Sequence, residues 1–316
     1  MSNLTPWASF CMSTYNRPDF LKKQIELLLQ QSFQDFEIVI ADNDPNASGK
    51  AIAAEFNDSR IKYECNGENL GMVKSFNRAI DRAIGEFVVM ITDDDPVFDN
   101  MLSFFYSLQT KYPNYSLYCG AKRKKTAYEA IEIIDKDDFP HQILDTKLTA
   151  SLHWSGSLLR RRTLVEIGKL ADFGSGHLVD HIMIVLMGSK DGAIIINREF
   201  SDTQLHQLNY SKTNFDNYSI GCTNFYNILT NTFKDRPNYK KNLAGILDHL
   251  HTWVIVCFFS LRNFFTIHQS SNKNIIKEID VAAYKILDLP YMRVCKTKYE
   301  LKKIIFFIKK QLGLLK

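Results

Sequence analysis

Along the first hundred residues, short apolar runs alternate with segments whose apolar positions recur every three or four residues. Ala8 to Met12 reads as a strand, and from Asp19 the residues Phe20, Leu21, Ile25, Leu28 and Leu29 share one helical face, with Pro18 suited to the helix start. Phe36 to Ala41 is a second strand and Ser48 to Phe56 a helix; Ile61 to Tyr63 is a third strand and Met72 to Ile84 a helix. Phe87 to Ile91 is then a fully buried strand running straight into Asp93-Asp94-Asp95-Pro96. Four rounds of strand and helix predict an α/β fold with a parallel, doubly wound sheet. Such a sheet gathers the polar loops near Thr14, Asp42 and Asp93 at one edge, where ligands of open α/β sheets sit.

The pattern continues with a helix over Met101 to Tyr112 and strands over Ser116 to Gly120 and Ala193 to Ile196. Between them, Ala130 to Ala150 reads as an irregular polar insert and Lys122-Arg123-Lys124-Lys125 as a solvated basic loop, with contact to an anionic acceptor second. From about Tyr218 the texture becomes helical. The expected division is 1–217 for the α/β domain (nucleotide half about 1–100, acceptor half about 101–217) and 218–316 for a helical region.

Composition narrows the class. An apolar share of 45% over 316 residues supports a sizeable core, and 39 basic against 35 acidic residues is no nucleic-acid signature. Six scattered cysteines fit a reducing compartment. The first residues lack a signal-peptide pattern, and the Trp253 to Phe259 run reads as too short to span a bilayer, so a cytosolic protein is expected.

The acid triplet carries the chemistry. Asp93 and Asp95, two apart on an extended segment, point the same way and can reach one hard cation and its diphosphate. The plainer alternative is a turn and N-cap cluster before a helix starting near Asp99. Four blocks in order decide between them: Ser13 to Arg17, Gln31 to Asn43, Asn69-Leu70-Gly71, and Thr92 to Asp95. Together they resemble family 2 glycosyltransferases, nucleotide-sugar enzymes of the GT-A fold, with weaker blocks continuing to about residue 215. The resemblance implies transfer of a sugar from a nucleotide-diphosphate sugar donor to a glycan acceptor, with Mn2+ or Mg2+ as cofactor.

Residue by residue, it implies that Thr14, Tyr15, Asn16, Arg17, Asp42, Asn69, Lys74, Asp93 and Asp94 hold the nucleotide sugar. Asp93 and Asp95, with His206 from a later block, would hold the metal. Trp154 and Gly156 would line the acceptor pocket, and Asp180 would be the general base, with Val179 standing where an acid is usual. A carboxylate there can take the acceptor hydroxyl's proton while the diphosphate leaves from the opposite side, which implies inversion. Asn43 also replaces the commoner acid. The plainer readings are a helix N-terminal acid for Asp180, a core ring for Trp154 and Tyr15, and surface residues for Lys74 and His206.

Three rival functions are weighed. His177, Asp180 and His181 approach a helical zinc-hydrolase spacing. A sugar nucleotidyltransferase would need a glycine-rich first loop, and Ser13 to Pro18 has none. A non-catalytic sugar-binding or scaffold relative would need no intact Asp93, Asp95 and Asp180. The terminal segment Leu301 to Leu312 alternates lysine pairs with apolar clusters, placing Lys302, Lys303, Lys309 and Lys310 roughly on one helical face. It is expected to contact an anionic membrane surface, the alternative being a helix packed on the catalytic domain. Synthesis of a bacterial surface polysaccharide (an O-antigen or capsule) on a lipid-linked acceptor is the family's implication, and no nucleic-acid partner is expected.

Overall fold

A computed structural model describes residues 5–202, 212, 215–268 and 273–311. The chain divides into two compact units. One comprises Met1–Ile143, Lys147–Asp172 and Val179–Leu205; the other comprises Leu144–Thr146, Phe173–Leu178 and His206–Lys316.

The first unit is built on one eight-stranded sheet. Its strands are β1 (Ala8–Thr14), β2 (Phe36–Asp42), β3 (Ile61–Cys65), β4 (Phe87–Thr92), β5 (Leu117–Gly120), β6 (Ile131–Ile134), β7 (Ser157–Arg160) and β8 (Ala193–Ile196). Their order is β3-β2-β1-β4-β7-β5-β8-β6. The β1–β2, β1–β4, β2–β3 and β5–β8 pairs are parallel, while β7 runs antiparallel to both neighbours and β6 antiparallel to β8. The chain winds outward from β1 through β2 to β3, then returns to place β4 on the other side of β1. That reversal opens a crevice beyond the carboxyl ends of β1 and β4.

Alternation along the strands explains the layers. Phe10, Met12, Ile38, Ile40, Val89 and Ile91 face a core completed by Leu21, Ile25 and Leu28 of α1 (Pro18–Leu29) and by Met101, Leu102 and Phe105 of α4 (Met101–Lys111). The opposite face of β1 and β2 is covered by α3 (Met72–Arg82), which buries Val73, Phe76, Ala79 and Ile80. With both faces covered, β1, β2 and β4 are buried almost throughout rather than alternating between buried and exposed positions. Each buried Leu, Ile or Phe contributes roughly 1.5–3 kcal/mol. Further helices are α2 (Lys50–Glu55), α5 (Phe139–Leu144), α6 (Arg161–Glu166) and α7 (Val179–Asp191).

Several details differ from the sequence expectations. The 130–150 stretch is not irregular: it holds β6 and α5. Nor is Arg123 part of a solvated run. It is 6% exposed, bound through Nε and Nη2 to Glu132 at 2.9 and 3.0 Å and through Nη1 to Thr149 Oγ1 at 2.8 Å, so it fastens the β5–β6 connection. The 3-10 turn Trp154–Gly156 leads into β7, a strand too short for its period to be read. Gly120 is needed beneath this turn, because a Cβ there would lie 2.7 Å from the Arg198 carbonyl and 3.1 Å from the Gly156 carbonyl.

The second unit is helical: α8 (Asn217–Phe233), α9 (Tyr239–His268), α10 (Lys273–Leu287) and α11 (Arg293–Gln311). Trp253 to Phe259 belongs to a 30-residue helix, far longer than that run alone predicts. From Tyr239 to Ile267 it is long and apolar enough to cross a membrane by composition. Here its ridge of Ile246, Leu250, Val254, Phe258, Leu261 and Phe265 is buried, and it packs on α8, α10 and α11.

Candidate functional site

The crevice between β1 and β4 is closed by polar side chains. In the parallel register Thr14 stands beside Asp42, and Ser13 beside Thr92. Thr14 Oγ1 donates to Asp93 Oδ2 at 2.8 Å, crossing the reversal point. Arg17 follows a left-handed Asn16 (φ 51), a conformation asparagine tolerates better than most residues. Its Nη1 reaches Asp93 Oδ1 and Asp94 Oδ2, both at 3.1 Å. One guanidinium thus pairs with two carboxylates in a partly buried place.

That compensation is incomplete. Burial pushes the Asp93 carboxyl up to about 6, with Arg17 pulling down and Asp94 pushing up. Asp95 is also raised, chiefly by burial, although Ser155 Oγ donates to its Oδ2 at 2.8 Å. The main chain of the acid loop is fixed from α1, where buried Gln24 Nε2 donates to the Asp95 carbonyl at 2.9 Å.

These carboxylates fit a divalent cation. They are hard oxygen donors whose charge is buried beyond what Arg17 offsets, and a bound cation would supply the missing compensation. Among the described residues no three His, Cys, Asp or Glu side chains converge as an enclosing site. A cation held by one or two carboxylates plus diphosphate oxygens and water needs no such cage. His206 lies outside the described residues.

Asp42 is fully buried. Its Oδ1 accepts from Asp44 N at 2.9 Å; its Oδ2 accepts from Gly49 N at 2.8 Å and Tyr63 Oη at 2.7 Å. It therefore clamps the loop between β2 and α2. Asn43 is equally committed: Nδ2 donates to Asn69 Oδ1 at 2.7 Å, while Oδ1 accepts from Leu70 N at 2.9 Å and Asn66 Nδ2 at 3.2 Å. Ser75 joins this network, accepting from Ser13 Oγ at 2.7 Å and Asn66 Nδ2 at 3.0 Å. Tyr15 stands 49% exposed at the rim. Lys74 is exposed on α3, its Nζ 3.7 Å from Asp172 Oδ2.

Trp154 is buried, its ring centroid 4.7 Å from that of Phe76, and Gly156 is buried beside it. The turn carrying them packs on β4 and on α7, so it bridges the acid loop and the helix that bears Asp180. Asp180 lies in the first turn of α7, part-exposed, with Oδ2 3.7 Å from His181 Nε2. The zinc-hydrolase spacing fails. The helix begins only at Val179, and Leu178 before it is left-handed (φ 64), so His177 and His181 share no helical face. The His177 ring instead lies against Tyr218, centroids 3.7 Å apart.

Four positions escaped the sequence reading: Gln24, Tyr63, Ser75 and Ser155. Gln24 and Ser75 carried a usable signal, each being polar on an otherwise apolar helical face. Tyr63 and Ser155 carried none, since their partners are 21 and 60 residues away.

A doubly wound sheet with an acid loop at its reversal point, an antiparallel strand inserted beyond it and a helical unit following is the GT-A class of fold. Solved structures agree. TarS of S. aureus (residues 1–349) superposes with a TM-score of 0.63 over 93% of this chain and 91% of its own, at 14% identity. Mannosyltransferase PcManGT from Pyrobaculum calidifontis, solved with GDP-Man and Mn2+, gives 0.55 over 96% and 88%, at 15% identity. At such identities the likeness is one of fold.

Residues 9–168 match the family model for glycosyl transferase family 2, and the chain belongs to that family. A Campylobacter jejuni GalNAc(5)-diNAcBac-PP-undecaprenol beta-1,3-glucosyltransferase is 34% identical over 101 residues, covering 31% of this chain and 33% of that protein. Escherichia coli WfgD, a UDP-Glc:alpha-D-GlcNAc-diphosphoundecaprenol beta-1,3-glucosyltransferase, is 29% identical over 115 residues, covering 34% and 46%. The chain thus matches between a third and a half of the length of these curated relatives.

Proposed function

We propose that this protein transfers a glycosyl group from a nucleoside-diphosphate sugar to an acceptor hydroxyl, with inversion at the anomeric carbon. The observation that carries the reading is the Thr14–Asp93–Arg17–Asp94 cluster at the sheet's reversal point, with Asp95 held by Ser155 beside it. Under this reading Tyr15, Asn16 and Asn69 border the nucleotide, and Asp42 shapes the loop beside them. Lys74 lies within reach of the diphosphate side of α3, and Trp154 with Gly156 forms the buried support of the acceptor side.

Asp93 and Asp95 would hold Mn2+ or Mg2+. When bound, such a cation neutralises charge growing on the leaving diphosphate. Asp180 takes the proton from the acceptor oxygen as that oxygen attacks. A new bond forms from acceptor oxygen to the anomeric carbon while the bond to the diphosphate oxygen breaks, and the proton ends on Asp180. The part-exposed setting of Asp180 suits a group that must pass its proton on to water.

The acceptor is a sugar on a lipid diphosphate, and the product a bacterial surface polysaccharide. What supports this is the activity for which the C. jejuni and E. coli relatives are named. The test is a thermal-shift panel of UDP, GDP, CDP and dTDP with and without Mn2+. A cation-dependent shift for one of them, lost in Asp95→Ala, is expected. No shift with any of the four refutes the proposal. Asp180→Asn is expected to keep that shift and lose transfer; unchanged transfer removes Asp180 as base.

A further inference from the structure

We propose that the outer face of α11, with the groove it forms beside α9, docks on an anionic lipid surface. The helix has two apolar faces. Cys295 and Tyr299 are buried and Phe306 half-buried, so one face packs inward. Lys296 and Lys303 belong to that side, pairing with Asp288 at 2.6 Å and Asp280 at 3.5 Å. At 100° per residue, Val294, Leu301, Ile304, Ile305 and Ile308 form a second ridge on the far side. Each of these five is at least 50% exposed, as is Phe307. Single exposed apolar side chains are ordinary, but five between positions 301 and 308 make a continuous patch.

The ridge has a charged flank. Lys298, Lys302 and Lys309 project between it and the inward face, all exposed, and pair with no carboxylate among the described residues. Beside them lies a groove of about 330 Å³ lined by Thr252, Ile255, Val256, Lys298, Leu301 and Lys302. It is an apolar trough with ammonium groups on its lip. Apolar side chains that enter the acyl boundary, flanked by lysines at phosphate height, match a bilayer carrying anionic headgroups.

Charge decides against a second copy of this chain. The outer flank carries Lys298, Lys302 and Lys309 with no acid beside them, so like faces would bring about +3 against +3. An anionic surface reverses that sign. The inference stands on this face alone and does not depend on the transfer reaction.

The test is co-sedimentation of the full chain with vesicles of phosphatidylglycerol and phosphatidylcholine, against phosphatidylcholine alone. Binding to the anionic vesicles, weakened by salt, is expected. Lys298→Glu/Lys302→Glu/Lys309→Glu should weaken binding on the order of a hundredfold, at roughly fivefold per lysine. Ile304→Ser/Ile308→Ser should also release the protein. All five positions are exposed, so unchanged circular dichroism and melting are expected and serve as the folding control. Equal binding to neutral vesicles, no binding at all, or a triple variant that binds like the wild type overturns the proposal. So does a wild-type dimer in analytical ultracentrifugation that the Ile304→Ser/Ile308→Ser variant converts to monomer, because the ridge would then be a self-interface.

Discussion

Replacing Asp93 by asparagine in chelator-treated protein separates a site shaped for an absent charge from one that is merely polar. The groups facing Asp93 are Arg17, Thr14 and Asp94, and burial outweighs them, raising the carboxyl from 3.8 to about 6. Because the folded value is the higher one, protonated Asp93 favours the folded state. That stability is complete below about pH 4 and is lost as pH rises through about 6. At ~1.4 kcal/mol per pH unit, ionising Asp93 costs the folded state about 3 kcal/mol at pH 8 and about 1.6 kcal/mol at pH 5. Asparagine does not titrate, so the stability of Asp93→Asn relative to wild type should grow by about 1.4 kcal/mol from pH 5 to pH 8. Hydrogen bonds lost to Thr14 and Arg17 set the baseline and cancel in this difference. Urea denaturation followed by tryptophan emission measures it. In a Trp253→Phe background only Trp7 and Trp154 remain, both in the sheet-bearing unit. A gap that is flat with pH, or that closes toward pH 8, refutes the reasoning. Adding Mn2+ with the preferred nucleoside diphosphate at pH 8 should stabilise the wild type more than the variant.

The clamp around Asp42 predicts that Tyr63→Phe lowers stability by about 1 kcal/mol, the worth of one hydrogen bond, readable in the same urea titration. Gly49→Ala should cost more, because a Cβ there would sit 2.6 Å from Leu21 Cδ2 and 3.0 Å from Asp42 Oδ2. An effect no larger than that of Tyr63→Phe would show that the loop yields. Ser155→Ala removes the hydroxyl that donates to Asp95 Oδ2, so the Mn2+ concentration giving half the nucleotide-induced shift should rise on the order of tenfold. An unchanged midpoint would mean Asp95 needs no support from that turn.

The sheet was legible where burial is two-sided. Phe87 to Ile91 is apolar at every position because both faces of β4 are buried, and the helices between strands showed their spacing through Leu21, Ile25 and Leu28. Beyond β4 legibility was patchy: α4, β5 and β8 were read, β6 and β7 were not. Ser157-Leu158-Leu159-Arg160 is four residues long, too few to show a period, and its place between β4 and β5 depends on partners 38 to 73 residues away. Ile131 to Ile134 hid for another reason: it is an edge strand with one face in water, set among charged residues. Arg123 misled because a run of like charges ordinarily marks solvent, and only tertiary contact with Glu132 and Thr149 draws one member inward.

At the site, what could be read was which side chains gather, and what could not was what holds them. Thr14, Arg17 and the acid triplet stood out because each follows a buried strand at the sheet edge where loops gather. Yet the chain fixes this site with hydrogen bonds from more distant side chains: Gln24 on the Asp95 carbonyl, Ser155 on the Asp95 carboxylate, Tyr63 on Asp42. These contacts span 71, 60 and 21 residues, beyond any local pattern. The same asymmetry governs α11. Its lysines and apolar residues gave the amphipathic character at once, but a helix with two apolar faces does not declare which is buried. Lys303 turned inward to Asp280, whereas Leu301, Ile304 and Ile308 turned out. The difference follows from what α9 and α10 can cover: a helix packed along one side shields about half its circumference, so any apolar residue beyond that arc must meet water or a partner.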